Sequence, residues 1–379
     1  MVKISAFKAL RPTKKLVQKV PTKTYLNYSE EEIVKEKKNN PYSFLHIIHQ
    51  KQIKKLDERF KKIKLEIDDF KRKKILLKDK KDCLYVYEQS KGMQKYVGLI
   101  CAISIKDYNK NKIKIHEKTI EKREILFTQY LHNTKIHAEP VLITYNSNIK
   151  HIQRNHMAET HKIYDYKTDD DIQHKVWKIE NQEEIRNIIS KFQNIENLYI
   201  ADGHHRMASS SRLHNNDKCL AYILPNNMLD NYPYHRVLKV NQETKEMLKK
   251  ISTKKPTQEP EKNTQKLQFY LDKTWYEISV TNEKAIIDNL SVNKLLKNIL
   301  TPIFSIKNER DSKSIKFIPG NKKIKDILDM ISNSEVLFWM NQISIDIIIE
   351  IANKHQTTPP KSTFILPKIP SGLIMMELS

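Results

Sequence analysis

The run Leu198-Tyr199-Ile200-Ala201-Asp202-Gly203-His204-His205-Arg206 decides how this chain is read. Leu198 to Ala201 is a short apolar strand, Asp202-Gly203 breaks it, Arg206 to His214 is a helix, and Cys219 to Leu224 is another strand. A strand that turns through glycine into a helix unites three anion-binding elements. Glycine lets the backbone approach, the first helical turn offers N–H groups, and the macrodipole adds partial positive charge. His204, His205 and Arg206 add side-chain donors, and Arg206 can grip two oxygens at once. Asp202 can orient a histidine, accept a proton or hold Mg²⁺. The expectation is a phosphate-holding site, against the plainer reading of a solvated helix start. Consecutive helical residues point about 100° apart, so His204 and His205 do not share one ion and no metal is assigned to His or Cys.

Outward from the motif, Leu56, Phe60, Ile63, Ile67 and Phe70 recur at helical spacing. Cys83 to Glu88 and Lys95 to Ile105 read as a hairpin about Ser90-Lys91-Gly92, and Ile185, Ile188, Ile189 and Phe192 as a second helical stripe. The hairpin is expected beside the strand ending at Ala201, which would bring His116 and Glu117 to the motif. Thr253 to Lys266 is polar with two prolines and no periodicity. Beyond it Leu267 to Val280 is a hairpin about Asp272-Lys273, followed by alternating helices and strands. The expected fold class is mixed α/β: a first domain over 1–250, a linker or exposed loop over 251–266, and a second α/β domain over 267–379.

Composition narrows the function. The formal charge is +23, but only ten of the 68 basic residues are Arg, and five Gly stand where a chain this long ordinarily has roughly 27. Lys is scattered through every segment, which fits a solvated cationic surface better than a nucleic-acid footprint, so nucleic acid is not an expected partner. An Arg retained against this drift marks a place that needs a planar, bidentate donor, and Arg206, Arg212 and Arg236 cluster. Cys83, Cys101 and Cys219 are odd in number and lack Cys-x-x-Cys spacing, which suits a reducing cytoplasm. Met1 to Val20 has no continuous apolar core, and Asp346 and Glu350 interrupt Ile343 to Ala352, so neither a secretory signal nor a membrane span is expected and the location predicted is cytoplasmic.

Several stretches carry a resemblance: Phe7 to Pro12, Asn40 to His46, His116 to Thr119, Glu139-Pro140, Ala201 to Arg206 with Ala208-Ser209, Tyr234 to Arg236, Pro359 to Thr363, Pro367-Lys368 and Ser371-Gly372. On these the chain is identified as a member of the domain of unknown function 1015 family, a bacterial and archaeal group also linked to the ParB and Spo0J partition proteins. The motif core resembles the phosphate loop of the ParB and sulfiredoxin superfamily, some of whose members are kinases of free L-serine. The resemblance implies a ParB/sulfiredoxin-like N-terminal part and a phosphotransferase acting on L-serine or O-phosphoserine, in either direction, with ATP or ADP and Mg²⁺. Under it Gly203, His205 and Arg206 hold the phosphates and Asp202 or Glu117 takes the hydroxyl proton; His204 is a further catalytic candidate, and His116, Arg236 and Lys361 are further candidate phosphate donors. Partners are then a nucleotide and a small amino acid, with no membrane.

Plainer readings stand beside these. His46 reads as a satisfied core histidine, His116-Glu117 as a buried polar pair, Tyr234-His235-Arg236 as a core-and-surface strand, and Pro359-Pro360 as a rigid strand entry. The chain also departs from the family pattern at Leu26, Ile120, Leu126 and Phe127, which implies altered specificity or reduced activity if those positions bind substrate. A ParB-like nucleotide switch and an inactive member are the alternatives. A DNA-binding relative places a helix-turn-helix after the motif, whereas here a strand follows the motif helix.

Overall fold

In the computed structural model, which describes residues 1–23, 28–146, 154–158, 161–254, 259–261, 264, 266–309 and 312–378, the motif strand spans Leu198–Asp202. Leu198 to Ala201 are buried, and the strand lies between Ile113–Lys114, parallel to it, and Val141–Tyr145, antiparallel to it. The order continues through Lys218–Pro225, Gln94–Ser104, Leu84–Lys91, Gln173–Ile179 and Lys162–Lys167, and Ile4–Ser5 pairs separately with Gln94–Ser104 to complete a nine-stranded sheet. Val86, Cys101, Ile143, Ile200 and Ile223 form its core with Ile185, Ile188 and Phe192 from the helix Gln182–Gln193. Asn181 caps that helix by accepting from the N–H groups of Glu183 and Glu184. The predicted hairpin forms with its turn at Gly92, but Val141–Tyr145 and Lys218–Pro225 stand between it and the motif strand. The expected pairing is thus corrected: Ile113–Lys114, just ahead of His116, takes the place given to the hairpin.

The chain divides into two units. The first comprises Met1–Ile115, Thr119–Leu229 and Pro367–Ser379, the second His116–Lys118 and Asp230–Leu366. The first unit holds a further sheet, in the order Leu76–Lys78, Ala9–Pro12, Met375–Glu377, Ile136–His137. Phe60, Ile63, Ile67 and Phe70 of the helix Leu56–Arg72 share a core with Leu10, Leu76, Ile136 and Met375 from this sheet.

In the second unit a six-stranded sheet runs Thr253–Lys254, Thr274–Ile278, Leu267–Leu271, Glu335–Trp339, Tyr234–Lys239, Lys316–Pro319. The predicted hairpin turns at Asp272 and Lys273, both at positive φ, as a two-residue connection of right-twisted strands requires. The expected boundary at 251–266 falls inside this unit. Strands from both sides of it pair with Glu335–Trp339, so the polar segment joins members of one sheet, and the units part at 229 and 367 instead.

Candidate phosphate-binding site

The strand register shifts between Ile200 and Asp202, an irregularity of the kind that re-aims a side chain at a strand end. Gly203 follows at φ +96° and ψ 27°, and the helix His204–Ser211 begins there with no side chain capping it. Only glycine takes this backbone without strain, and here the missing Cβ also makes room for the Arg206 guanidinium.

Arg206 Nη1 donates to Glu139 Oε2 at 3.0 Å and to the Pro140 carbonyl at 2.8 Å, while Nη2 lies 3.5 Å from Asp202 Oδ2. Glu139 is fixed in turn by Ser371 Oγ, and Ser371 exchanges backbone hydrogen bonds with Thr22. Lys368 Nζ donates to Asp202 Oδ2 at 3.2 Å. The Asp202 side chain is 42% exposed and that of Arg206 18%. Burial works against the Asp202 charge, but Lys368, Arg206 and His204 outweigh it and hold the carboxyl well below the usual carboxylate range. His137 is buried close enough to Arg206 to feel its charge, and among the described residues its Nε2 has no hydrogen-bond partner. Burial first, and the charge of Arg206 second, push its pKa down to about 3.

Two carboxylates and two cations thus meet at a helix start, with His204 nearly enclosed and His205 half-buried on its first turn. Asp202, between Lys368 and Arg206, is placed to orient a cation. Among the described residues no three His, Cys, Asp or Glu side chains converge as a metal site. A Mg²⁺ ion carried on nucleotide phosphates needs few protein ligands, and Asp202 fits that part.

The other residues expected at the site lie in the second unit. His116 is buried, its Nε2 3.4 Å from Thr363 Oγ1 and its carbonyl accepting from Thr358, while Glu117 bridges to Thr358. Lys361 Nζ stands 4.9 Å from the centre of the Tyr234 ring. Arg236, expected to hold phosphate, is instead fully enclosed: Nε and Nη2 both lie 3.0 Å from Glu309 Oε2, and Nη1 donates to the Tyr234 carbonyl. No face of this guanidinium is left for a ligand. His235 beside it accepts from the Met340 N–H and stacks on Trp339, as a core strand requires.

Of the departures from the family pattern, Leu26 lies outside the described residues, Ile120 precedes the helix Glu121–Thr134, Leu126 is exposed on it and Phe127 packs on Tyr130. Sequence reasoning gave no role to Glu139, Lys368, Ser371 or His137. The usable signals were Glu139-Pro140, Pro367-Lys368 and Ser371-Gly372 among the stretches that carry the resemblance, and Gly372 as one of five glycines. At φ +80° a Cβ there would meet the Phe44 ring at 2.6 Å, and this close approach positions the chain around Ser371.

A family profile described as a protein of unknown function, DUF1015, matches residues 4–300. The chain belongs to the DUF1015 family. No curated protein matches this DUF1015 chain. Among solved structures it is similar to a mutant free serine kinase in complex with ADP, at 15% identity and a TM-score of 0.43 over 74% of this chain and 92% of that one. SbnI with a C-terminal truncation, from Staphylococcus aureus, matches at 12% identity and a TM-score of 0.41, over 70% of this chain and 82% of that one. A conserved hypothetical protein from Pyrococcus furiosus matches at 15% identity and 0.39, over 74% and 95%. Likenesses at this level leave the function of the DUF1015 chain to be argued from its own residues. No helix among its described residues is long and apolar enough to cross a membrane.

Proposed function

We propose that this chain binds nucleotide phosphates at Gly203–Arg206 and transfers a phosphoryl group between the nucleotide, ATP or ADP, and free L-serine. The observation that carries the reading is the arrangement about Asp202: a charged carboxylate between Lys368 and Arg206, at an uncapped helix start opened by a positive-φ glycine. Phosphoryl transfer requires chiefly positive charge and N–H donors around the moving oxygens. Arg206, held by Glu139, and Lys368, held by Asp202, supply charge on preset stems.

In the forward direction a bond forms from the serine Oγ to phosphorus as the bond from phosphorus to the nucleotide oxygen breaks, and the hydroxyl proton leaves to a carboxylate base. Mg²⁺, bound with the nucleotide, would neutralise phosphate charge. Asp202 would help to hold that cation, and His204 and His205 would add donors on the first helical turn. The family resemblance gives the proton to Asp202 or Glu117, His116 and Lys361 are further candidate donors, and Asp202→Asn and Glu117→Gln test the two bases separately.

A ParB-like DNA switch is less well supported, because the strand Lys218–Pro225 follows the motif helix where a helix-turn-helix would need a second helix. Incubation with ATP or ADP, Mg²⁺ and L-serine, followed by ³¹P NMR, should show O-phosphoserine, and the reverse mixture should consume it. Nucleotide binding without turnover in either direction would leave an inactive member; no nucleotide binding at all would overturn the reading.

A further inference from the structure

The second unit contains a cavity of about 530 Å³ that the proposed reaction does not use. It lies within the size range of small-molecule sites. Lys294 lines it from the short helix Ser291–Leu295, although its side chain belongs to a residue only 4% exposed. The ammonium donates to Asn282 Oδ1 at 3.0 Å and, among the described residues, makes no other hydrogen bond and no ion pair. Glu283, the carboxylate on the cavity wall, bonds Lys297 at 2.5 Å and is also within reach of the Lys294 charge, without a hydrogen bond to it. One turn before Lys294, on the same helical face, Ser291 also lines the cavity. Its Oγ accepts from the Asn341 N–H at 3.2 Å, which leaves the hydroxyl proton to donate.

A buried cation with no carboxylate in hydrogen-bond contact is costly, and Glu283, bound to Lys297, acts on Lys294 only at longer range. The cavity places an ammonium with two unused N–H bonds beside a hydroxyl donor, on a wall of Asn and Gln side chains with Leu290 and Ile343 among them. We propose that this cavity binds a small organic anion, whose carboxylate or phosphate oxygens are taken by Lys294 and Ser291 and whose polar body meets the amide wall. This inference does not depend on phosphotransfer at Asp202.

The test is calorimetric titration of the full chain with glycolate and, separately, inorganic phosphate, on wild type, Lys294→Met, Ser291→Ala and Arg206→Ala. Wild type should bind at least one probe, and which one identifies the oxyanion. For glycolate, Lys294→Met should lower the affinity about tenfold or more, Ser291→Ala should lower it by a smaller factor, and Arg206→Ala should leave it unchanged; for phosphate, which the proposed Gly203–Arg206 site also takes, the Lys294-dependent binding should persist in Arg206→Ala. Should Lys294→Met fail to fold, Ser291→Ala decides alone. Binding of neither probe to wild type, full affinity in the Lys294 and Ser291 variants, or a loss confined to Arg206→Ala would each overturn the proposal.

Discussion

The guanidinium of Arg206 folds back over Gly203, so that a Cβ at Gly203 would lie 2.9 Å from both Nε and Nη2. The glycine therefore serves two ends, a φ of +96° and space for the side chain three residues on. Gly203→Ala should lower stability by about 1–3 kcal/mol from backbone strain alone and displace Arg206. Thermal melts together with nucleotide calorimetry check this. A variant that melts and binds as wild type does would refute the arrangement.

Arg206→Lys keeps the charge and loses the planar fork that reaches Glu139, the Pro140 carbonyl and Asp202 together. A charge-assisted hydrogen bond contributes about 1.5–3 kcal/mol, so nucleotide affinity should fall about tenfold to a hundredfold. Titrating both folded proteins measures it, and equal affinities would remove Arg206 from the site.

Lys368→Met should raise the pKa of Asp202. Burial already raises it, and Lys368 is the first of the charges that hold it down. Asp202 is ionised in the wild type until the solution is well acid of the usual carboxylate range, so its contribution is lost only as pH falls through that depressed pKa. In the variant the acid limb of nucleotide binding should move to higher pH. An unmoved limb would show that Asp202 does not govern binding.

Three buried histidines contribute to the pH dependence of stability. Burial pushes His137 and His235 down to about 3 and His174 to about 4; Arg206 and Arg236 reinforce the shift for the first two, while Asp170 opposes it for the third. Each is neutral in the folded chain where an unfolded histidine, with a pKa of about 6.5, takes a proton. Their contribution is complete above about pH 6.5 and is lost as pH falls towards the folded values, by up to about 1.4 kcal/mol per pH unit for each. Denaturant midpoints between about pH 6.5 and 4.5 should show this slope, and His137→Gln should reduce it by about one proton for the first unit. A slope unchanged in the variant would contradict a neutral His137.

Arg236→Met leaves Glu309 buried without its cation, and breaking such a pair costs about 3–5 kcal/mol. Nucleotide affinity of the protein that remains folded should not change. Reduced affinity without loss of stability would return Arg236 to the phosphate site.

Local order was legible where residue spacing alone decides it. The apolar period of Phe60, Ile63, Ile67 and Phe70 yields the helix, Asp272-Lys273 the hairpin, and Asp202-Gly203 the strand-to-helix turn. Of the ten arginines, Arg72 is exposed and Arg59 meets a single backbone carbonyl, whereas four sit on buried or half-buried carboxylates. The acceptors found are internal carboxylates: Asp79 for Arg11, Glu124 for Arg212, Glu309 for Arg236 and Glu139 for Arg206. A guanidinium meets a carboxylate as well as a phosphate, so composition could not tell the two apart. Lys368 and Glu139 stand 166 and 67 positions from the motif residues they bind. No local pattern pairs residues so distant, and for the same reason the boundary between units was misplaced: strand pairing across 251–266 leaves no trace in polarity.

The return of the 367–378 segment to the first unit fixes the order in which this site can be assembled during synthesis. When residues 198–211 leave the ribosome, the motif strand and helix exist, but Lys368 and Ser371 are not yet made. All of 230–366 must be translated before Asp202 gains its cation and Glu139 its hydroxyl donor. A nascent chain stalled within the second unit carries the glycine and the arginine without the lysine, so competence of the site is deferred until both units have been translated.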